Sequence, residues 1–199
     1  MQKKSLIIFD LDGTLAHTGP DLMGTLNRVV APHGVAPMSA ETINYVLGQG
    51  ARAMIERSFA LANKELSNTL QDSIFEDFLA DYAENICVET YLYDGVLEAM
   101  DILENTGYTF AVCTNKSESM ARLLLETLDI LHRFKSLTGG DTFNFRIPDK
   151  RHLIETAKLA GKSIDQAIMI GDSKADIGAA KNANIPSIAL TFGYSDIPP

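Results

Sequence analysis

Two aspartates one residue apart carry the strongest chemical signal in this chain, in the run Asp10-Leu11-Asp12-Gly13-Thr14-Leu15. Side chains alternate along an extended backbone, so Asp10 and Asp12 share one side and Leu11 turns away. Gly13 permits a tight turn close to a ligand. Two carboxylates held together with little basic company repel each other unless a cation binds. Alone, such a pair after a strand reads as a plain acidic turn. Two further segments change the balance. Thr114-Asn115-Lys116 offers a hydroxyl, an amide and a helix N-terminus, which together suit a phosphate group. Gly171-Asp172-Ser173-Lys174-Ala175-Asp176 sets two carboxylates one helical turn apart, able to point the same way. Singly, Thr114 reads as a helix cap and Asp176 as a surface charge. In combination they indicate a site for a phosphate and a metal ion.

Each of these groups ends a short apolar run. The runs are 5–10 (SLIIFD), 108–114 (YTFAVCT) and 167–171 (AIMIG), with 187–191 (SIALT) and a weaker 136–139 besides. Runs of this length, bounded by polar or glycine residues, read as buried strands of a parallel sheet. Helical periodicity lies between them, over 94–106, 118–128, 152–160 and 174–183. Strands alternating with helices predict an α/β fold with a doubly wound parallel sheet. Ligands bind at the carboxyl ends of such strands, where the acidic and polar groups fall. The stretch 19–89 breaks the rhythm and holds helical patterns alone. Two helices are expected over 21–30 and 52–62, and Leu70, Ile74, Phe78, Tyr82 and Ile86 recur every four residues. Seven acids between Glu65 and Glu89, with no base among them, read as a solvated helix face. The division expected is a core of 1–18 and 90–199 with a small all-helical insertion of 19–89.

On these motifs the chain resembles the haloacid-dehalogenase-like hydrolase superfamily, and within it the phosphoglycolate-phosphatase-like branch. FDLDGTL at 9–15, TNK at 114–116, GGDTF at 139–143 and GDSKADI from Gly171 carry the resemblance. It implies a Rossmann-like core with a helical cap domain inserted after the first motif. It further implies that Asp10 attacks phosphorus to form an aspartyl-phosphate, while Asp12 protonates the leaving oxygen and then activates water. Mg²⁺ would be held by Asp10, the Asp12 carbonyl and Asp172, with Asp176 ordering its water shell. Thr114 and Asn115 would hold the phosphate, beside Gly13 and Thr14 of the first turn. An acid–base residue at position 12 disfavours dehalogenation, because the true dehalogenases lack it. Gly48-Gln49-Gly50-Ala51-Arg52 resembles the cap loop that faces the site. There Arg52 would pair with a substrate carboxylate or second phosphate; the plain alternative is a surface ion pair with Glu56. The substrate implied is a small phosphate ester, 2-phosphoglycolate first. A sugar-phosphate mutase or a pyrophosphatase of the same superfamily is the alternative.

The pattern breaks in one place. The superfamily sets a lysine after the third core strand, where this chain reads Arg146-Ile147-Pro148-Asp149-Lys150. Ile147 takes the lysine's position. Lys150 from one turn further on is the expected substitute as a catalytic residue, with Arg146 the other choice. If neither reaches the site, the protein binds phosphate without cleaving it efficiently. His17 and Thr18 stand at the hinge to the cap, in place of the branch's usual Asp-Ser, and His17 reads as a hinge residue.

Bulk properties set the remaining bounds. The 199 residues carry a net charge of −9, which argues against duplex nucleic acid and against an anionic membrane surface as partners. Cys87 and Cys113 form no Cys-x-x-Cys pair and read as two free thiols. No stretch approaches the roughly 20 apolar residues of a membrane span. The expectation is a cytoplasmic protein, monomer or dimer, whose partner is a small phosphorylated molecule.

Overall fold

The computed structural model describes residues 5–38 and 47–194. Five parallel strands form one sheet: β1 (Leu6–Phe9), β4 (Thr109–Cys113), β5 (Phe134–Thr138), β6 (Ala167–Gly171) and β7 (Ser187–Ala189), in the order β5-β4-β1-β6-β7. β1 lies at the centre and all four of its residues are buried. Strand alternation divides its side chains between two cores. Ile7 and Phe9 join Phe110, Val112, Met100 and Leu124 on one face. Leu6 and Ile8 join Ala111, Met169, Leu153 and Ala179 on the other. The helices that cover the sheet are α4 (Val96–Asn105), α5 (Glu118–Thr127), α6 (Lys150–Leu159) and α7 (Lys174–Asn182).

Helix α6 starts two residues before the sequence pattern places it. The Asp149 carboxylate accepts the Arg151 N–H at 2.9 Å, which caps the helix at Lys150. A small second sheet has no counterpart in the sequence reading. β2 (Ala16–His17) pairs antiparallel with β3 (Tyr91–Leu92), where the chain leaves the core and where it returns. Two residues per strand are too few for periodicity to reveal.

Between these crossings lie α1 (Gly19–Val30), α2 (Ala51–Leu61) and α3 (Asn68–Glu84). Residues 39–46 of the predicted helical insertion lie outside the described residues. The three helices pack on each other through Leu26, Ile55, Phe59, Ile74 and Phe78, all buried. Of the seven acids at 65–89, Asp72 and Asp81 form ion pairs with Arg52 and Arg28, at 2.6 and 2.5 Å, and Asp81 alone is not exposed. Asp21, in the first turn of α1, is buried and accepts the backbone N–H groups of Val88, Glu89 and Thr90 at 2.8 to 3.1 Å. That clasp joins the first helix after the outward crossing to the segment before the return. Cys113 is buried in β4 and Cys87 is half-buried in the return segment.

Candidate active site

β1 has β4 and β6 as its neighbours, so the loops that follow these three strands converge at one end of the sheet. Asp10 follows β1, Thr114 follows β4 and Asp172 follows β6. Asp10, Asp172 and Asp176 are all buried, and each offers a carboxylate oxygen within 4.8 Å of the other two. Asp172 is held at both oxygens: Oδ1 accepts the Thr14 hydroxyl at 2.7 Å and Oδ2 accepts the Tyr194 N–H at 2.6 Å. In Asp176, Oδ2 accepts the Ser173 N–H at 2.9 Å and its hydroxyl at 2.6 Å. Its Oδ1 is buried with no hydrogen-bond partner among the described residues.

Such crowding has an electrostatic cost. Burial, then the charges of Asp176, Asp172 and Asp12, push the Asp10 carboxyl well above the ordinary range, against a smaller opposing pull from the Thr114 hydroxyl. Burial also raises Asp172, and raises Asp176 to about 7. An unpartnered buried carboxylate oxygen within a cluster of three oxygen donors is the donor set a hard divalent cation takes, so the residues fit Mg²⁺.

Lys116 supplies the site's positive charge, a role that the sequence reading did not give it. Its Nζ lies 3.0 and 3.2 Å from the Asp12 carboxylate oxygens and 2.9 Å from the Tyr82 hydroxyl of α3. Burial works to lower its pKa, but the Asp12 charge and Tyr82 outweigh that and raise it to about 12. Its place in the Thr114-Asn115-Lys116 loop was the available signal. The hydroxyl that meets it comes from 34 residues away, in the helical insertion.

The structure does not bring Lys150 to the carboxylates. The Asp149 cap starts α6 at Lys150, and the lysine is left exposed at the helix surface. Ile147 is buried and lines the recess beside Asp10, Thr114 and Asp176, with no ammonium in its place. Arg146 lines a second, wider cleft instead. Thr114 and Asn115 do line the recess. Gly13 and Thr14 are turned toward Asp172: a Cβ on Gly13 would stand 2.6 Å from Asp172 Oδ2.

The wider cleft, of about 350 Å³, opens between the α1–α3 helices and the sheet. Phe75, Phe78 and Tyr82 form one wall, and Asn115, Lys116 and Met120 the other. Arg52 also lines it, with its guanidinium 2.6 Å from Asp72 and 4.2 Å above the Phe75 ring; Asp72 takes the place expected for Glu56. The recess beside Asp10 holds only about 10 Å³. Gly50 brings the helical insertion down over it: with φ at +88°, a Cβ there would stand 3.3 Å from the Asn115 carbonyl.

A family model described as haloacid dehalogenase-like hydrolase matches residues 7–190. A phosphoglycolate phosphatase of Agrobacterium fabrum is 47% identical over 193 residues, which cover 97% of this chain and 83% of the relative. Another, of Colwellia psychrerythraea, is 39% identical over 98% of this chain and 88% of its own length. A crystal structure of a predicted phosphoglycolate phosphatase from Haemophilus somnus superposes with a TM-score of 0.91 at 31% identity, covering 100% of this chain and 90% of that one. This chain therefore belongs to the haloacid dehalogenase-like hydrolases, in their phosphoglycolate-phosphatase-like branch, and is a phosphatase.

Proposed function

We propose that this protein hydrolyses a small phosphate monoester by way of a phosphoryl group carried on Asp10, with Mg²⁺ as cofactor. The observation that carries the reading is the buried Asp10–Asp172–Asp176 cluster, with its unpartnered Asp176 oxygen, beside the Asp12–Lys116 pair. Asp10, the Asp12 carbonyl and Asp172, with Asp176 behind them, are the residues that would hold the cation. When bound, Mg²⁺ supplies charge neutralisation, which lets an anionic carboxylate approach an anionic phosphate.

The chain's own groups do the rest. An Asp10 oxygen attacks phosphorus as the bond to the ester oxygen breaks. Asp12 gives its proton to that leaving oxygen, then takes one from the water whose attack on phosphorus frees Asp10. Thr114 and the Asn115 amide hold the phosphoryl oxygens. Lys116 is the one lysine or arginine among the described residues that is buried. Its ammonium lines the recess beside Asp12 and there supplies to the phosphoryl group the charge that Ile147 lacks.

The relatives are named for phosphoglycolate, which makes it the first ester to try. Arg52 and Arg146 in the wide cleft suit its carboxylate. The test is phosphate release from a panel of small phosphate esters, with and without Mg²⁺. Mg²⁺-dependent release that disappears in Asp10→Asn is the expected outcome. Ile147 in the recess favours a second reading, binding without turnover. Retention of phosphoglycolate with no release above the Asp10→Asn blank would select it.

A further inference from the structure

One residue spans from the carboxylate cluster to the root of the cap. The backbone N–H of Tyr194 donates to Asp172 Oδ2 at 2.6 Å. The phenol oxygen of the same residue accepts the N–H of Gly19, the first residue of α1, at 2.7 Å. That N–H belongs to a helix's first turn and has no partner within the helix. The same hydroxyl lies 3.2 Å from His17 Nδ1, in the outgoing strand β2. His17 is packed among the rings of Tyr91, Tyr93 and Tyr194, and Tyr91 belongs to the returning strand β3. The phenol thus meets the outgoing crossing directly and the returning one through His17 and the Tyr93 hydroxyl.

The fit depends on absent side chains. A Cβ on Gly193 would stand 2.3 Å from Asp172 Cβ, and one on Gly13 would stand 2.7 Å from the Tyr194 ring. Tyr194 itself is 6% exposed. The loop after β7 is therefore seated on Asp172 at one end and on the hinge at the other, with little room to move at one end alone.

We infer that Tyr194 is a positioning residue that couples cation occupancy at Asp172 to the seating of the cap hinge at Gly19. A cation that draws on an Asp172 oxygen shifts the carboxylate held by the Tyr194 N–H, and the ring carries that shift to Gly19. Coupling of this kind is reciprocal: a hinge held by Tyr194 also tightens the cation. The inference rests on the reading of Asp172 as a cation ligand, and its test separates the two.

The experiment follows amide hydrogen exchange at Gly19 by NMR, with and without Mg²⁺, beside calorimetric titration of Mg²⁺. Tyr194→Phe keeps the ring and the N–H to Asp172 and removes only the hydroxyl. Tyr93→Phe removes the hydroxyl that faces both His17, at 3.3 Å, and the Tyr194 hydroxyl, and keeps the two Tyr194 bonds to Asp172 and Gly19. In the native protein and in Tyr93→Phe, Mg²⁺ should slow exchange at Gly19 about fivefold or more. In Tyr194→Phe the Mg²⁺ response should vanish, and Mg²⁺ should bind more weakly by the same factor. A Tyr194→Phe response equal to the native one overturns the coupling, as does Mg²⁺ that binds the native protein without changing Gly19. Failure of the native protein to bind Mg²⁺ overturns the cation reading along with it.

Discussion

A buried ammonium is costly unless its partners are close, and Lys116 has both Asp12 and the Tyr82 hydroxyl within 3.2 Å. Lys116→Met should lower kcat/KM by about 10²–10³, the range for losing one preorganised charge contact. Lys150→Ala should leave it unchanged; steady-state kinetics on both variants checks the assignment. The carboxylate cluster predicts a pH effect of definite sign. Asp176 titrates at about 7 in the fold against an ordinary 3.8. Its contribution to stability is thus fully present below the ordinary value and is lost as pH rises through about 7. His152 shifts the other way, held down to about 4 mainly by burial, so the comparison is made as a difference with and without Mg²⁺. The rise in melting temperature that Mg²⁺ produces should be larger at about pH 8 than at about pH 6, by calorimetry. The aspartates of this site were legible in the sequence because their chemistry is compressed into a few adjacent residues after a strand. Lys116 was not, because its role depends on a tyrosine brought from a distant helix.

Among the elements, the helical insertion is fastened at its root by Asp21, whose one carboxylate gathers three consecutive N–H groups of the return segment. Hydrogen bonds to a charged acceptor are the stronger kind. Asp21→Asn should cost about 1–3 kcal/mol, read from the midpoint of urea unfolding. The strands of the sheet's interior were readable as apolar runs because they are buried on both faces. β5 read weakly because only Leu137 and Thr138 of its five residues are buried, whereas β7, the other edge strand, read as an apolar run of a buried strand although its three residues are all exposed. The β2–β3 pair escaped the sequence altogether. Its two-residue strands are fixed by the crossings rather than by any pattern of their own.

At the scale of the whole molecule, the recess beside Asp10 is the size of about one water molecule. With Gly50 over it the recess is too small for a phosphoryl group, so the prediction is that the helical insertion opens to admit substrate and closes for chemistry. Solution scattering should show a smaller radius with Mg²⁺ and a phosphate mimic than without them; identical curves would mean that no such opening takes place. The two cysteines have a practical consequence. Cys113 is sealed within β4, where burial pushes its thiol up to about 12, while Cys87 is half-buried beside the Asp21 clasp. An alkylating reagent would find Cys87 whenever the clasp loosens, and Cys113 only when the sheet itself comes apart. The native chain thus carries two clocks, one for local breathing and one for global unfolding, with no label to be engineered.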